Sequence, residues 1–168
     1  MKRIYIGIDP DVNQSGVARV DKEMGKSKVW ADHLPFPLLL DYLLTIKEVA
    51  RLQNAQLMVL VEASWKIGHN WHLKPSDSKA VAAAKGNAVG AMQQVGKLLV
   101  EFCQDKGIDV IEQIPLKKCW KGKDGKITHA EITSLCGWDK KRSNQEERDA
   151  MLIAYNASGL PMRMKLLN

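Results

Sequence analysis

Two short apolar runs, each closed by a carboxylate, constrain this chain more than anything else in it. Arg3–Asp9 alternates Ile4, Ile6 and Ile8 at period two, the pattern of a strand, and stops at Asp9-Pro10. Gln56–Glu62 carries the continuous run Leu57-Met58-Val59-Leu60-Val61, which suits a strand buried on both faces, and stops at Glu62. Between them, Gly16–Asp21 and Lys28–Ala31 read as two more strands joined by short loops, so an antiparallel meander is expected. Leu38–Leu52 then repeats Leu39, Leu43, Ile46 and Ala50 at helical spacing. A polar and aromatic stretch covers 64–78, Lys79–Lys106 reads as one long helix rich in small residues, and Ile108–Glu112 reads as the last strand. A short helix near His129–Cys136 and a terminal helix over Gln145–Ser158 complete the order βββαβαβ followed by helices. Strand–helix–strand units need crossovers that lay helices on the sheet faces. The expectation is a single α/β domain over residues 1–168.

Composition agrees and narrows the classes. Of the 168 residues, 45% are hydrophobic and 26% charged, which is enough apolar material for a core and excludes a disordered or collagenous chain. Cys103, Cys119 and Cys136 are odd in number, far apart and without a CxxC spacing, so neither a disulfide framework nor a zinc site is indicated. Free thiols in a reducing cytosol are the simplest reading. The N-terminus lacks the apolar stretch of a signal peptide, and the most apolar region, 34–44, contains two prolines and Asp41. No bilayer-spanning segment is expected, and a cytoplasmic location follows.

The positions of the acids carry the chemistry. Taken singly, Asp9 reads as a turn residue before proline and Glu62 as a solvated strand end. If the first and fourth strands are parallel neighbours, however, both carboxylates project from one edge of the sheet. In the terminal helix, Ala150, Ile153, Ala154 and Ala157 define a buried face, with Glu146 near its middle, Asp149 near its edge and Arg148 on the far side. Ser143-Asn144-Gln145-Glu146 matches a capping box with Ser143 as the cap. A helix crossing the strand edge brings Glu146 and Asp149 beside Asp9 and Glu62. Clustered carboxylates repel, so they hold protons or bind cations. Oxygen-only donors favour Mg²⁺ or Mn²⁺, and two such ions about 4 Å apart suit phosphodiester hydrolysis.

The charge distribution indicates a polyanionic partner. The chain has 25 Lys and Arg against 19 Asp and Glu, a net +6. Residues 117–142 hold eight basic residues (Lys117, Lys118, Lys121, Lys123, Lys126, Lys140, Lys141, Arg142) against three acids, which accounts for +5 of it. Lys66, Lys74, Lys79 and Lys85 add to a basic collar around the acids, and such lysines supply salt-dependent phosphate affinity. Trp65, Trp71 and Trp120 are either stacking platforms for bases or anchors folded onto the protein, and both readings stay open. His129 reads as a helix-terminal residue.

At these residues the chain resembles the RuvC-type Holliday junction resolvases of the retroviral-integrase/RNase H superfamily. Ile6-Gly7-Ile8-Asp9-Pro10 with Ser15-Gly16-Val17-Ala18 is similar to their first motif, and Val59-Leu60-Val61-Glu62 to their second. The stretch Glu146-Glu147-Arg148-Asp149-Ala150-Met151-Leu152-Ile153-Ala154 is similar to the helical third motif, and Gly107-Ile108-Asp109-Val110 with Pro115 and Lys118 to the last strand and the lysine after it. The resemblance implies an RNase H-like fold, a five-stranded mixed sheet (three antiparallel strands plus two parallel) with helices on both faces. It implies that Asp9, Glu62, Glu146 and Asp149 bind two Mg²⁺ or Mn²⁺ ions, with Lys118 facing a phosphate. The activity implied is metal-dependent nicking of branched, four-way DNA by a homodimer. On the residues themselves, Trp65, Lys66, Trp71, Lys85, Lys117, Lys118, Trp120 and Lys121 are the candidates for DNA contact. The small-residue surface of the long helix is the candidate dimer face, and no motif identifies a branch-migration motor.

Three other readings remain. The same chemistry could act on RNA–DNA hybrids or other structured DNA. Gly7-Ile8-Asp9 with Ser15-Gly16 loosely resembles the phosphate hairpin of actin-like ATP-binding domains, although this chain is too short for a second lobe. A catalytically silent DNA-binding module would share the basic collar.

Overall fold

The computed structural model describes residues 1–68 and 73–160. Five strands form one sheet: β1 (Arg3–Asp9), β2 (Ser15–Glu23), β3 (Lys26–Leu34), β4 (Gln56–Glu62) and β5 (Val110–Gln113). Their order is β3-β2-β1-β4-β5. β2 runs antiparallel to both β1 and β3, while β1, β4 and β5 are parallel. This is the five-stranded mixed sheet the sequence led us to expect. Helices α1 (Phe36–Leu52), α2 (Lys79–Asp105), α3 (His129–Cys136) and α4 (Gln145–Ala157) cover it.

The pleat sorts the side chains into two cores. Ile4, Ile6 and Ile8 of β1 and Val59 and Val61 of β4 face α1 and α2, where Leu39, Leu43, Leu99 and Cys103 bury them. Tyr5 and Leu60, with Ala18 and Val20 of β2, point the other way, toward α3 and α4. Both faces of the central strands are therefore buried, which is why β4 reads as an unbroken apolar run.

Local chemistry explains where the elements start and stop. The β1–β2 turn is closed by Asp11, whose Oδ1 accepts from the Asn13 amide at 2.8 Å, and by buried Ser15, whose Oγ accepts from the Asp11 amide at 3.1 Å. Met24 and Gly25 both take positive φ, 48° and 78°, in a two-residue hairpin loop whose twist matches the strands. That loop keeps β2 and β3 in register over Lys26–Leu34, longer than the expected Lys28–Ala31. The last strand starts later than expected, at Val110. Gly107 turns the chain with φ 61°, and the Ile108 amide still bonds back to Cys103 at the end of α2.

α4 departs most from its expected setting. It begins after Asn144, whose Oδ1 accepts from the Glu147 amide at 2.8 Å, so Ser143 is not the cap and Glu146 is not the capping-box acid. Its burial also extends beyond one face. Met151, Leu152 and Tyr155 are buried with Ala150, Ile153 and Ala154, because Ile127, Ile132 and Trp138 pack on the side away from the sheet. Arg148, on that far side, is consequently half-buried. Its Nε donates to the Ile127 carbonyl at 3.0 Å and its guanidinium also donates to the Ser143 carbonyl and Gln145 Oε1.

α4 can press against the sheet because β1 and β2 carry glycines beneath it. A Cβ on Gly7 would collide with the Ala150 carbonyl and the Ala154 amide, and one on Gly16 with the Glu146 carbonyl. No helix of the described residues is long and apolar enough to cross a membrane.

Candidate active site

Register and parity bring the acids together. Ile8 pairs with Val61 in the parallel β1–β4 ladder, so Asp9 and Glu62 leave adjacent strands side by side. Asp9 shares the parity of Gly7, which touches α4, and Glu62 shares that of Leu60, which packs in the same core. Both carboxylates therefore rise on the α4 side. On the other side of Asp9 lies its partner Gly16, and Glu146 sits directly on Gly16. Asp149 follows one turn along α4, and its Oδ1 accepts from Gln145 Nε2 at 2.7 Å.

The electrostatics report the same proximity. Burial raises the Asp9 carboxyl well above its ordinary range, and the charges of Glu62, Asp149 and Glu146 raise it further. Burial and Asp149 push Glu62 up to about 7. Burial also raises Asp149, against the opposing pull of the Gln145 hydrogen bond, Lys126 and Lys118. Desolvated carboxylates that repel one another favour protons or cations at the rim. The all-oxygen donor set fits Mg²⁺ or Mn²⁺ better than a softer ion.

Among the described residues, no three of these four acids bring one donor each within 4.8 Å of one another; the grouping that does is Asp32, His33 and Glu147.

Two lysines face the acids. Lys118 acts on Glu62 and Asp149, and Lys126 on Asp9, Glu62 and Asp149, each lowering the carboxyl groups against the effect of burial. A folded loop brings them to the rim together. Gly122 donates to the Lys126 carbonyl, Trp120 to the Gly125 carbonyl, and Gly125 packs on Lys118 with φ 73°. Sequence reasoning counted Lys126 only within the basic segment. The Gly122 and Gly125 punctuation of that segment was the signal that it folds back on itself.

The other candidates for DNA contact are placed unequally. The Trp65 ring packs on Gly96 of α2 beside Pro10, and its Nε1 donates to Glu112 Oε2 at 3.0 Å, so this tryptophan folds back over the sheet edge. Lys66 also pairs with Glu112, at 3.3 Å, and Lys85 pairs with Asp77 at 2.7 Å. Lys117 and Lys121 are exposed. Trp120 is half-buried against the α3–α4 core, at the edge of an open groove of about 640 Å³ shared with Lys121, Thr128, Glu131 and Leu135. Trp71 lies outside the described residues. His129 is the first residue of α3, as expected.

α2 also meets the rim. Gly96 lies against Pro10, immediately after Asp9, whereas Leu99, Val100 and Cys103 are buried deeper in the core. The preceding 17 residues, from Lys79, make about 25 Å of largely exposed helix at 1.5 Å per residue. Gly86 and Gly90 in this arm have open space around them.

No family model matches the sequence, and no curated protein sequence does. Among solved structures, the fold is similar to T. thermophilus RuvC in complex with Holliday junction substrate, at 15% identity and a TM-score of 0.47, over 94% of this chain and 97% of that one. A second Thermus thermophilus RuvC structure gives 15% identity and a TM-score of 0.45 over the same shares. The Aquifex aeolicus PPX-GPPA enzyme is similar at 9% identity and a TM-score of 0.34, over 70% of this chain and 38% of that one.

Proposed function

We propose that this chain is a divalent-metal-dependent endonuclease that nicks branched DNA, with four-way junctions as its substrate. The observation that carries the reading is the row of Asp9, Glu62, Glu146 and Asp149 at one strand edge, with Lys118 and Lys126 facing it. Asp9, Glu62 and Asp149 would hold divalent cations, with Glu146 contributing from the Gly16 side, and such ions would supply activation of water and stabilisation of the leaving oxygen of a phosphodiester.

The chain's own groups do the rest. Lys118 and Lys126 hold the scissile phosphate over the carboxylates and offset their charge, which lets an anionic strand approach an acidic centre. Exposed Lys117 and Lys121 extend the basic track along the backbone, giving affinity that falls with salt. The arm of α2, with Gly86 and Gly90 open along it, is the surface for a second copy. Two rims in a symmetric pair would meet opposing strands of one junction.

The test is cleavage of synthetic four-way junctions, flaps, linear duplex and RNA–DNA hybrid under one set of conditions, with Mg²⁺ or Mn²⁺. Junction nicking that Asp9→Asn abolishes while binding persists is the expected result. Equal cutting by that variant would end the assignment, and preferential cutting of the hybrid would move the substrate. Sedimentation as a monomer at high concentration would remove the dimer from the proposal.

A further inference from the structure

Across the sheet from Asp9, the row of paired residues continues from Gly16 to His33 on β3. His33 shares the parity of Ala31 and Val29, so its ring rises on the α4 side, where Glu147 meets it. The start of α4 thus has acids on both flanks of Gly16, with Glu146 and, one turn on, Asp149 toward β1 and Glu147 toward β3. We propose that Asp32, His33 and Glu147 form a second cation site, for a zinc-type transition-metal dication, separate from the acid rim and guarded by Lys140.

Donor geometry supports this. His33 Nδ1 lies 2.9 Å from Glu147 Oε1 and 3.5 Å from Asp32 Oδ1, and the three donors lie within 4.8 Å of one another. Ligands about 2.1 Å from a shared tetrahedral or octahedral ion sit about 3.0–3.4 Å apart, close to these separations. One imidazole and two carboxylates suit Zn²⁺, Co²⁺ or Ni²⁺, whereas the oxygen-only rim suits Mg²⁺.

A second, independent observation points to a ligand. Glu147 is only 2% exposed, and its Oε2 has no hydrogen-bond partner among the described residues. A buried carboxylate oxygen without a partner is costly. Its sister oxygen already faces His33, so an ion there takes both oxygens of a bidentate carboxylate and removes the deficit.

Lys140 is the competitor. Its ammonium sits 3.0 Å from Glu147 Oε1 and 3.9 Å from Asp32 Oδ1, over the Trp138 ring. The side chain is 36% exposed, so it can swing into water when a dication takes its place. The bound ion then cross-links the end of β3 to the first turn of α4. β2 lies between β3 and β1, and strands are about 4.8 Å apart, so this site is about 10 Å from the Asp9 strand.

The experiment uses metal-stripped full chain carrying Asp9→Asn and Glu62→Gln, which disables the rim. Zn²⁺ is titrated calorimetrically, and Co²⁺ is followed by its visible absorption. One Zn²⁺ per chain is expected, weakened at least about tenfold by Asp32→Asn and by His33→Gln, and tightened by Lys140→Ala. Asp32 and His33 side chains are 43% and 39% exposed, so these substitutions leave the fold intact, checked by circular dichroism. Absence of Zn²⁺ binding, or binding indifferent to both substitutions, overturns the site. Because the rim is disabled throughout, neither result bears on the nuclease proposal.

Discussion

Gly16 lies directly beneath the Glu146 carbonyl, so close that a methyl group at position 16 would overlap the backbone of α4. The strand residue beside Asp9 therefore sets the height at which the helix acids cross the sheet.

Gly16→Ala should lift the first turn of α4 and lower stability by about 1–3 kcal/mol, the usual cost of overpacking. Gly7→Ala, which meets the Ala150 carbonyl and the Ala154 amide deeper in the core, should cost at least as much. Urea unfolding measures both. A Gly16→Ala protein as stable as the parent would show that α4 rides higher than described.

Glu62 should give stability a downward slope with pH. Its carboxyl is raised from 4.5 to about 7, so the folded chain keeps a proton that the unfolded chain has already released. Stability is then fully present below pH 4.5, falls as pH rises to about 7, and levels off above. Asp9 and Asp149, also raised, slope the same way, whereas Asp77 and Glu131, held low, slope the opposite way below the ordinary carboxylate range. Glu62→Gln should flatten the fall between pH 4.5 and 7 in metal-free buffer. Mg²⁺ at neutral pH should raise the melting temperature of the parent more than that of the variant.

Lys126→Gln should slow junction cleavage by about 100- to 1,000-fold, the range for loss of a transition-state charge partner, while leaving the fold intact. Its binding should also lose about one unit of salt dependence, as expected for one phosphate contact. Cleavage rates and binding at several salt concentrations check both. An unchanged rate would place Lys126 outside the chemistry.

Trp65→Phe should cost about 1–2 kcal/mol, because it removes the 3.0 Å bond to Glu112 but keeps a ring against Gly96. Junction affinity should not change. A large affinity loss with unchanged stability would return this residue to the DNA-contact set.

Much of the architecture was legible because its signals are local. The alternation of Ile4, Ile6 and Ile8 and the run 57–61 mark β1 and β4 to the residue, and with them the acids that close each strand. Helical spacing found α1 as readily, since periodicity needs no knowledge of neighbours. The α4 cap was misread by one position because Ser143 and Asn144 are comparable caps in isolation. The choice fell to Glu147, which at the third helical position finds His33 and Lys140.

The residues alone determined which strands end in carboxylates, that a basic segment follows, and that a helix bearing two more acids closes the chain. Only the tertiary structure decided that Arg148 is pinned to Ile127, that Trp65 is turned onto α2, and that Lys126 folds back over the acids. The physical reason is that these depend on pairing across long stretches of chain. A one-residue slip in strand register moves every side chain to the opposite face. The close approach permitted by Gly7 and Gly16 exists only once a helix about 140 residues away has something to rest on.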